Sequence, residues 1–212
     1  MSFIVEDNGG GFEACPTGVH LSRCYRIIDL GTQKTSYMGQ EKFAHKIMLC
    51  WEIHGTDEDG KPLLMRDGRN FAMFKNYTKS WSQKANLRID LQSWRGKPFS
   101  PEEMKKFDLQ NVLGAWCMLN LIEADGANGK TYVNIKSITP VPSIIKSSGF
   151  PAPVNKNEIF TMSNPNMEVF STFSDNLKAK IKSSPEWKKL ESPEEAYVPA
   201  NYGDVTNEDV PF

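Results

Sequence analysis

The 212-residue chain is poor in the groups that most enzymes need. It has only three histidines, all between residues 20 and 54, and four cysteines, Cys15, Cys24, Cys50 and Cys117, with no CxxC pair. No HExxH, GxSxG, GxxxxGKS or GxxxxGKT pattern occurs, so the common zinc-hydrolase, nucleophile-elbow and phosphate-loop chemistries have no support. Gly9-Gly10-Gly11 has no strand before it and cannot cradle phosphate. No run of eighteen apolar residues is present, so no membrane span is expected. No charged start precedes an apolar run, so no secretory leader is expected. The expected setting is cytoplasmic, with reduced thiols. Cys15, His20 and Cys24, with Cys50 as a fourth, are spaced loosely like metal ligands. Strand-buried cysteine is the commoner use, and no metal or cofactor is expected.

Charge is present but uneven. Over the whole chain 25 Lys and Arg nearly balance 26 Asp and Glu. Residues 19–146 carry 19 bases and 13 acids, whereas residues 147–212 carry 6 bases and 10 acids. After Lys189 there are six acids and no Lys or Arg. A basic core with acidic ends fits a binder of polyanions that carries a competing tail. The hydrophobic fraction of 39% is low for a fully packed chain of this length, so part of it should be extended.

The organisation follows from periodicity. Residues 1–18 read as a flexible arm. Val19 to Leu30 is rich in β-formers and ends at Gly31. Phe43 to His54 alternates, with Phe43, His45, Ile47, Leu49, Trp51 and Ile53 on one face and Ala44, Lys46, Met48, Cys50 and Glu52 on the other. Phe43 and Trp51 are assigned to the core. Leu63 to Lys75 reads as a third strand, bulged or folded into a hairpin at Asp67-Gly68. A helix capped by Ser80 or Ser82 should follow, with Ala85, Ile89, Trp81 and Leu91 near one face, ending at Trp94-Arg95-Gly96. Ser100-Pro101-Glu102-Glu103 opens a second short helix. Ala115 to Ala124 and Thr131 to Val141 read as two more strands. Three strands, a helix and two strands is the order of an OB-fold, a small five-stranded barrel. The expected class is therefore mainly β with helices, β-β-β-α-β-β, over residues 19–146. Residues 147–190 are expected to be a linker followed by one amphipathic helix from Asn166 to Ser183. Residues 191–212 are expected to form a disordered acidic tail.

The segment from Arg66 to Lys97 has the composition that single-stranded nucleic acid requires, cations for phosphates and flat rings for unstacked bases. The candidate contacts are Lys46, Arg66, Arg69, Phe71, Phe74, Lys75, Tyr77, Lys84, Arg88, Arg95 and Lys97. Trp116, Tyr132, Asn134 and Lys136 form a second set on the last two strands. About half of the aromatics should instead be core, and Trp81 and Trp94 could simply pin the helix. The ending Glu208-Asp209-Val210-Pro211-Phe212 reads as a detachable ligand, acids steering a phenyl ring and a terminal carboxylate to a basic pocket on a partner.

Gly18-Val19-His20, Ile28-Asp29-Leu30-Gly31-Thr32-Gln33, Trp51-Glu52-Ile53, Trp94-Arg95-Gly96-Lys97, Phe107-Asp108-Leu109, Leu113-Gly114 and Tyr132-Val133-Asn134-Ile135 resemble a family of small replication-region proteins of tailed bacteriophages. That family is similar to phage single-stranded DNA-binding proteins, with an OB-fold and an acidic tip ending in phenylalanine. The resemblance covers about residues 16–142 and the last few residues. It implies a non-enzymatic protein that coats single-stranded DNA during replication or recombination in the infected host's cytoplasm. It also implies replication or recombination partners recruited through the tail, weak self-association, and no membrane. Two other readings stay open: a phage adaptor or inhibitor of a host factor using the same barrel, and a metal-dependent nuclease built on His54, Asp57, Glu58 and Asp59.

Overall fold

β1 (Gly18–Tyr37) and β2 (Gln40–Ile53) form a long antiparallel hairpin around which everything else is arranged. The computed structural model describes residues 13–37, 40–57, 59–125 and 131–192. The remaining elements are β3 (Ala72–Thr78), α1 (Asn86–Arg95), α2 (Pro101–Lys106), a 3-10 turn (Leu109–Val112), β4 (Trp116–Asp125), β5 (Thr131–Thr139), α3 (Ser143–Ser148), β6 (Glu158–Phe160), α4 (Met167–Ser171), α5 (Asp175–Lys182) and α6 (Pro185–Glu191). One largely antiparallel six-stranded sheet runs β3-β2-β1-β4-β5, with β6 added in parallel to β1 at Arg26–Ile28. β3 and β5, the ends of that order, approach each other, but no ladder joins them among the described residues.

The inner part of the β1–β2 hairpin is buried on both faces, by the main core on one and the C-terminal region on the other, and two bulges in β1 set which of its side chains face each. The register skips Tyr25 between Cys24 and Arg26, and Leu30 between Asp29 and Gly31. Cys24 and Ile27 therefore join Ile47, Leu49, Trp51 and Ile53 in the main core, with Leu87, Leu91 and Trp94 of α1 and Cys117, Leu119, Leu121, Ile135 and Ile138 of the last strands. Tyr25, Ile28 and Leu30 face the other way with Met48 and Cys50. There Phe160, Phe170, Phe173, Ile181 and Trp187 of the C-terminal region form a second core, in which Phe170 and Trp187 stack at 4.5 Å.

Several sequence expectations need correction. β1 does not stop at Gly31. That glycine has φ +66°, and a Cβ there would lie 2.6 Å from Ser184 Cβ, so it marks a close approach of α6 within a continuing strand. Phe43 is not core but 58% exposed, because its part of the hairpin runs beyond the region that α1 and the last strands cover. The third strand begins at Ala72 rather than Leu63, and the hairpin expected at Asp67-Gly68 forms before it, bridged at Leu64 and Asn70. α1 begins at Asn86 without a side-chain cap, while Ser80 accepts from Ser82 N in the preceding turn. α1 buries Leu87, Asp90, Leu91 and Trp94 and leaves Ile89 exposed. The expected single helix from Asn166 to Ser183 is two, because Ser174 accepts from Leu177 N and caps a new start. The capping box at Ser100 and Glu103 matches the expected start of α2.

The C-terminal region is held to the hairpin by buried charge as well as by the second core. Glu52, fully buried, accepts from Arg23 Nη1 at 3.3 Å, Val154 N at 3.2 Å, Asn155 N at 2.6 Å and Asn155 Nδ2 at 2.8 Å. His54 Nε2 lies 3.0 Å from the same carboxylate. Arg23 also donates to Asn155 O at 3.1 Å and to the Asn157 side chain. Farther along, Glu186 of α6 accepts from Thr32 N at 2.8 Å and Thr32 Oγ1 at 2.6 Å, and Asp29 lies 2.6 Å from His45 Nε2.

Burial alone would push these three carboxyls up. Hydrogen bonds outweigh it in each case: His54 and residues 154–155 at Glu52, His45 and Gly31 N at Asp29, and Thr32 at Glu186. All three are held below the usual carboxylate range, so their stabilisation is full above the unfolded values near ~4 and is lost as pH falls through the lower folded values. The urea midpoint should be flat from pH 7 to 5 and drop below about pH 4. Glu52→Ala, which leaves Arg23 buried and unpaired, should lower stability by ~3–5 kcal/mol in urea titrations.

Candidate nucleic-acid interface

β3 sorts the expected contacts by alternation. Met73, Lys75 and Tyr77 turn toward the main core and α1, whereas Phe74 and Asn76 turn outward. Tyr77 is 2% exposed, and its hydroxyl donates to Asp90 Oδ2 at 2.8 Å. Burial and the neighbouring Asp90 both push that phenol far above its usual range. Phe71, 5% exposed, lies in the same core. Neither ring has a face open to a base, so both are structural, and the stacking role expected for them is withdrawn. Lys75 reaches the same Asp90 oxygen at 2.7 Å and is committed to holding α1 against β3.

Other expected cations are also engaged. Lys46 donates to Thr78 Oγ1 at 2.6 Å, and burial, with Lys180 nearby, pushes its ammonium down. Arg69 pairs with Asp67 at 2.6 Å within its own exposed turn. Arg88 donates to Trp81 O and to Gln92. Arg95 pairs with Glu103 at 2.7 Å and lies 4.1 Å over the Phe99 ring. Arg66, Lys84, Lys97 and Lys136 stand exposed.

What the structure brings together is smaller than the sequence set. Phe74 is 58% exposed on β3, and Tyr132 is 46% exposed on β5. Asn134 and Lys136 are exposed on the same strand as Tyr132. β3 and β5, which carry these groups, approach each other at the ends of the strand order. Between them the two strands offer flat rings, an amide and an ammonium, which suit stacking and phosphate pairing.

Trp116 is placed differently. It pairs with Arg23 in the ladder and packs against His54 at 4.9 Å. Phe150 lies on it at 4.8 Å with the rings 4° from parallel. Trp116 also lines a cleft of about 770 Å³ with Trp94, Phe99, Phe107 and Val141. Trp94 Nε1 donates to Trp116 O at 2.9 Å, tying the cleft wall to α1.

Phe43 and Phe150 were missed as surface aromatics. Phe43 follows Glu41-Lys42 and pairs across the ladder with Lys34, a charged setting that betrays a position outside the core. Phe150, between Gly149 and Pro151, has no periodicity that could reveal its partner. Cys24 faces the main core and Cys50 the second, so the loose metal-like spacing does not converge. Burial pushes the Cys15 thiol up to about 11 and the Cys50 thiol to about 12. Among the described residues no group of His, Cys, Asp and Glu is arranged to hold a metal ion. Asp57 accepts from Asp59 N and Lys61 N in a turn, and Glu58 lies outside the described residues. The tail Glu208, Asp209, Val210, Pro211 and Phe212 also lies outside them. No protein-family model matches the chain, and no curated protein sequence matches it.

Phe71→Ala and Tyr77→Ala should each lower stability by ~3–5 kcal/mol in chemical denaturation, as losses of core aromatics.

Proposed function

We propose that this protein binds single-stranded DNA with little sequence preference through an OB-type barrel and performs no chemistry. The observation that carries the reading is the pair of exposed rings, Phe74 and Tyr132, on the outer side of the two terminal strands. Bases of any sequence have a π-face, so such rings bind unstacked DNA without reading it. The strand order β3-β2-β1-β4-β5, with α1 between β3 and β4, supports the OB assignment, and closure would need only a β3–β5 ladder. Arg66, Lys84, Lys97 and Lys136 supply exposed charge for phosphates. The resemblance to phage single-stranded DNA-binding proteins supports a role in coating DNA during phage replication or recombination. In that role the acidic tail ending in Phe212 recruits replication or recombination partners. No helix among the described residues is long and apolar enough to cross a membrane.

Phe74→Ala and Tyr132→Ala should each weaken oligo-dT binding by ~1–3 kcal/mol with an unchanged melting temperature. If four phosphates are neutralised, log affinity should fall with log salt at a slope of about −3. Salt-independent binding, or tighter binding to duplex, would contradict the proposal. Capture of a host protein without any DNA affinity would favour the adaptor reading.

A further inference from the structure

Residues 150–153 are loosely anchored and place Phe150 against Trp116 of β4. Among the described residues they make no backbone hydrogen bond, and Pro151 and Pro153 have no N–H to give. On one side the chain is tied by Gly149 N to Lys146 O at 3.3 Å, and on the other by Val154 N and Asn155 N to Glu52. Between these points Phe150 is the only ring, and it is 41% exposed. Its near-parallel overlap with Trp116 is the arrangement that a nucleobase takes on an aromatic side chain. The Trp116 ring also lines the cleft with Trp94, Phe99, Phe107 and Val141, where Arg95, Lys106 and Lys146 join Glu102 and Glu103 in the lining. That cleft has the room and the aromatic walls for a base, and its three cations outnumber its two carboxylates where a phosphate would lie.

We propose that Trp116 is a base-stacking position for single-stranded DNA and that Phe150 occupies it in the free protein as an internal stand-in. The inference rests on the single-strand reading above and adds a site on β4, away from Phe74 and Tyr132. DNA entering this site displaces Phe150, and residues 150–153 swing out without breaking a backbone hydrogen bond. The Glu52 anchor stays in place, so the second core is undisturbed. An aromatic pair contributes ~0.5–1.5 kcal/mol, so competition by Phe150 should weaken DNA binding by about 2–10-fold.

The test is oligo-dT affinity of the full-length protein, Phe150→Ala, Trp116→Leu and the double variant, with melting temperatures measured in parallel. Phe150→Ala should bind about 2–10-fold tighter and melt close to the parent. Trp116→Leu should bind more weakly, and adding Phe150→Ala to it should give no gain. Binding by Phe150→Ala but not by the parent would also support the proposal. If the parent binds and Phe150→Ala does not bind tighter, or if the gain persists without Trp116, the stand-in is overturned while the single-strand reading survives. If neither protein binds, both are overturned.

Discussion

The buried pair of Arg23 and Glu52 is the constraint on which the rest of this structure depends. Two charges removed from water must find each other and satisfy their remaining hydrogen-bonding groups, or the fold loses several kcal/mol. Here neither charge is satisfied by the sheet alone. Glu52 needs the backbone of residues 154–155, and Arg23 needs Asn155 O and the Asn157 side chain. The pair therefore demands that the chain return across the sheet after β5. Once it does, β6 can add to β1, and the helices behind it can bury Phe160, Phe170 and Trp187 against Ile28, Leu30 and Met48.

That return divides the sheet's outer surface into regions with different fates. The middle, over β1 and β2, becomes a second hydrophobic core and is closed to any ligand. The flanks stay accessible. Phe74 projects from β3, and Tyr132, Asn134 and Lys136 are exposed on β5. On β4, Phe150 covers one side of the Trp116 ring. A surface of separated rings and scattered cations suits a flexible single strand that bends from one ring to the next. It suits a rigid duplex poorly, because duplex bases present no open face.

Alternation made much of the sheet legible in the sequence. Cys117, Leu119 and Leu121 are buried, as their spacing implies, and Trp51 is fully buried. What the sequence hid has physical causes. A bulge cannot be read from a periodicity that it breaks, so the second inward set on β1, Tyr25, Ile28 and Leu30, gave no signal. Glycine at a close approach looks the same as glycine at a strand end, which is why Gly31 was misread. A run of bases and rings from Arg66 to Lys97 does not say which rings point inward. The alternation of β3 sends Tyr77 to the core and Phe74 outward, and Asp90, one of two acids in a basic segment, holds Lys75. Ion pairs remove cations from the candidate surface, and partners such as Glu103 for Arg95 become visible only once the chain is folded.

The proposed function turns on whether the outer faces of β3 and β5 meet DNA. Photocrosslinking the full-length protein to oligo-dT carrying a photoreactive thymine analogue, followed by mass-spectrometric mapping, tests it most directly. Adducts are expected at Phe74 and Tyr132, lost at high salt, and none in the buried rings Phe71, Tyr77 and Trp51. Adducts confined to the surface of α4, α5 and α6, or their absence from β3 and β5 under conditions where DNA is bound, would contradict it.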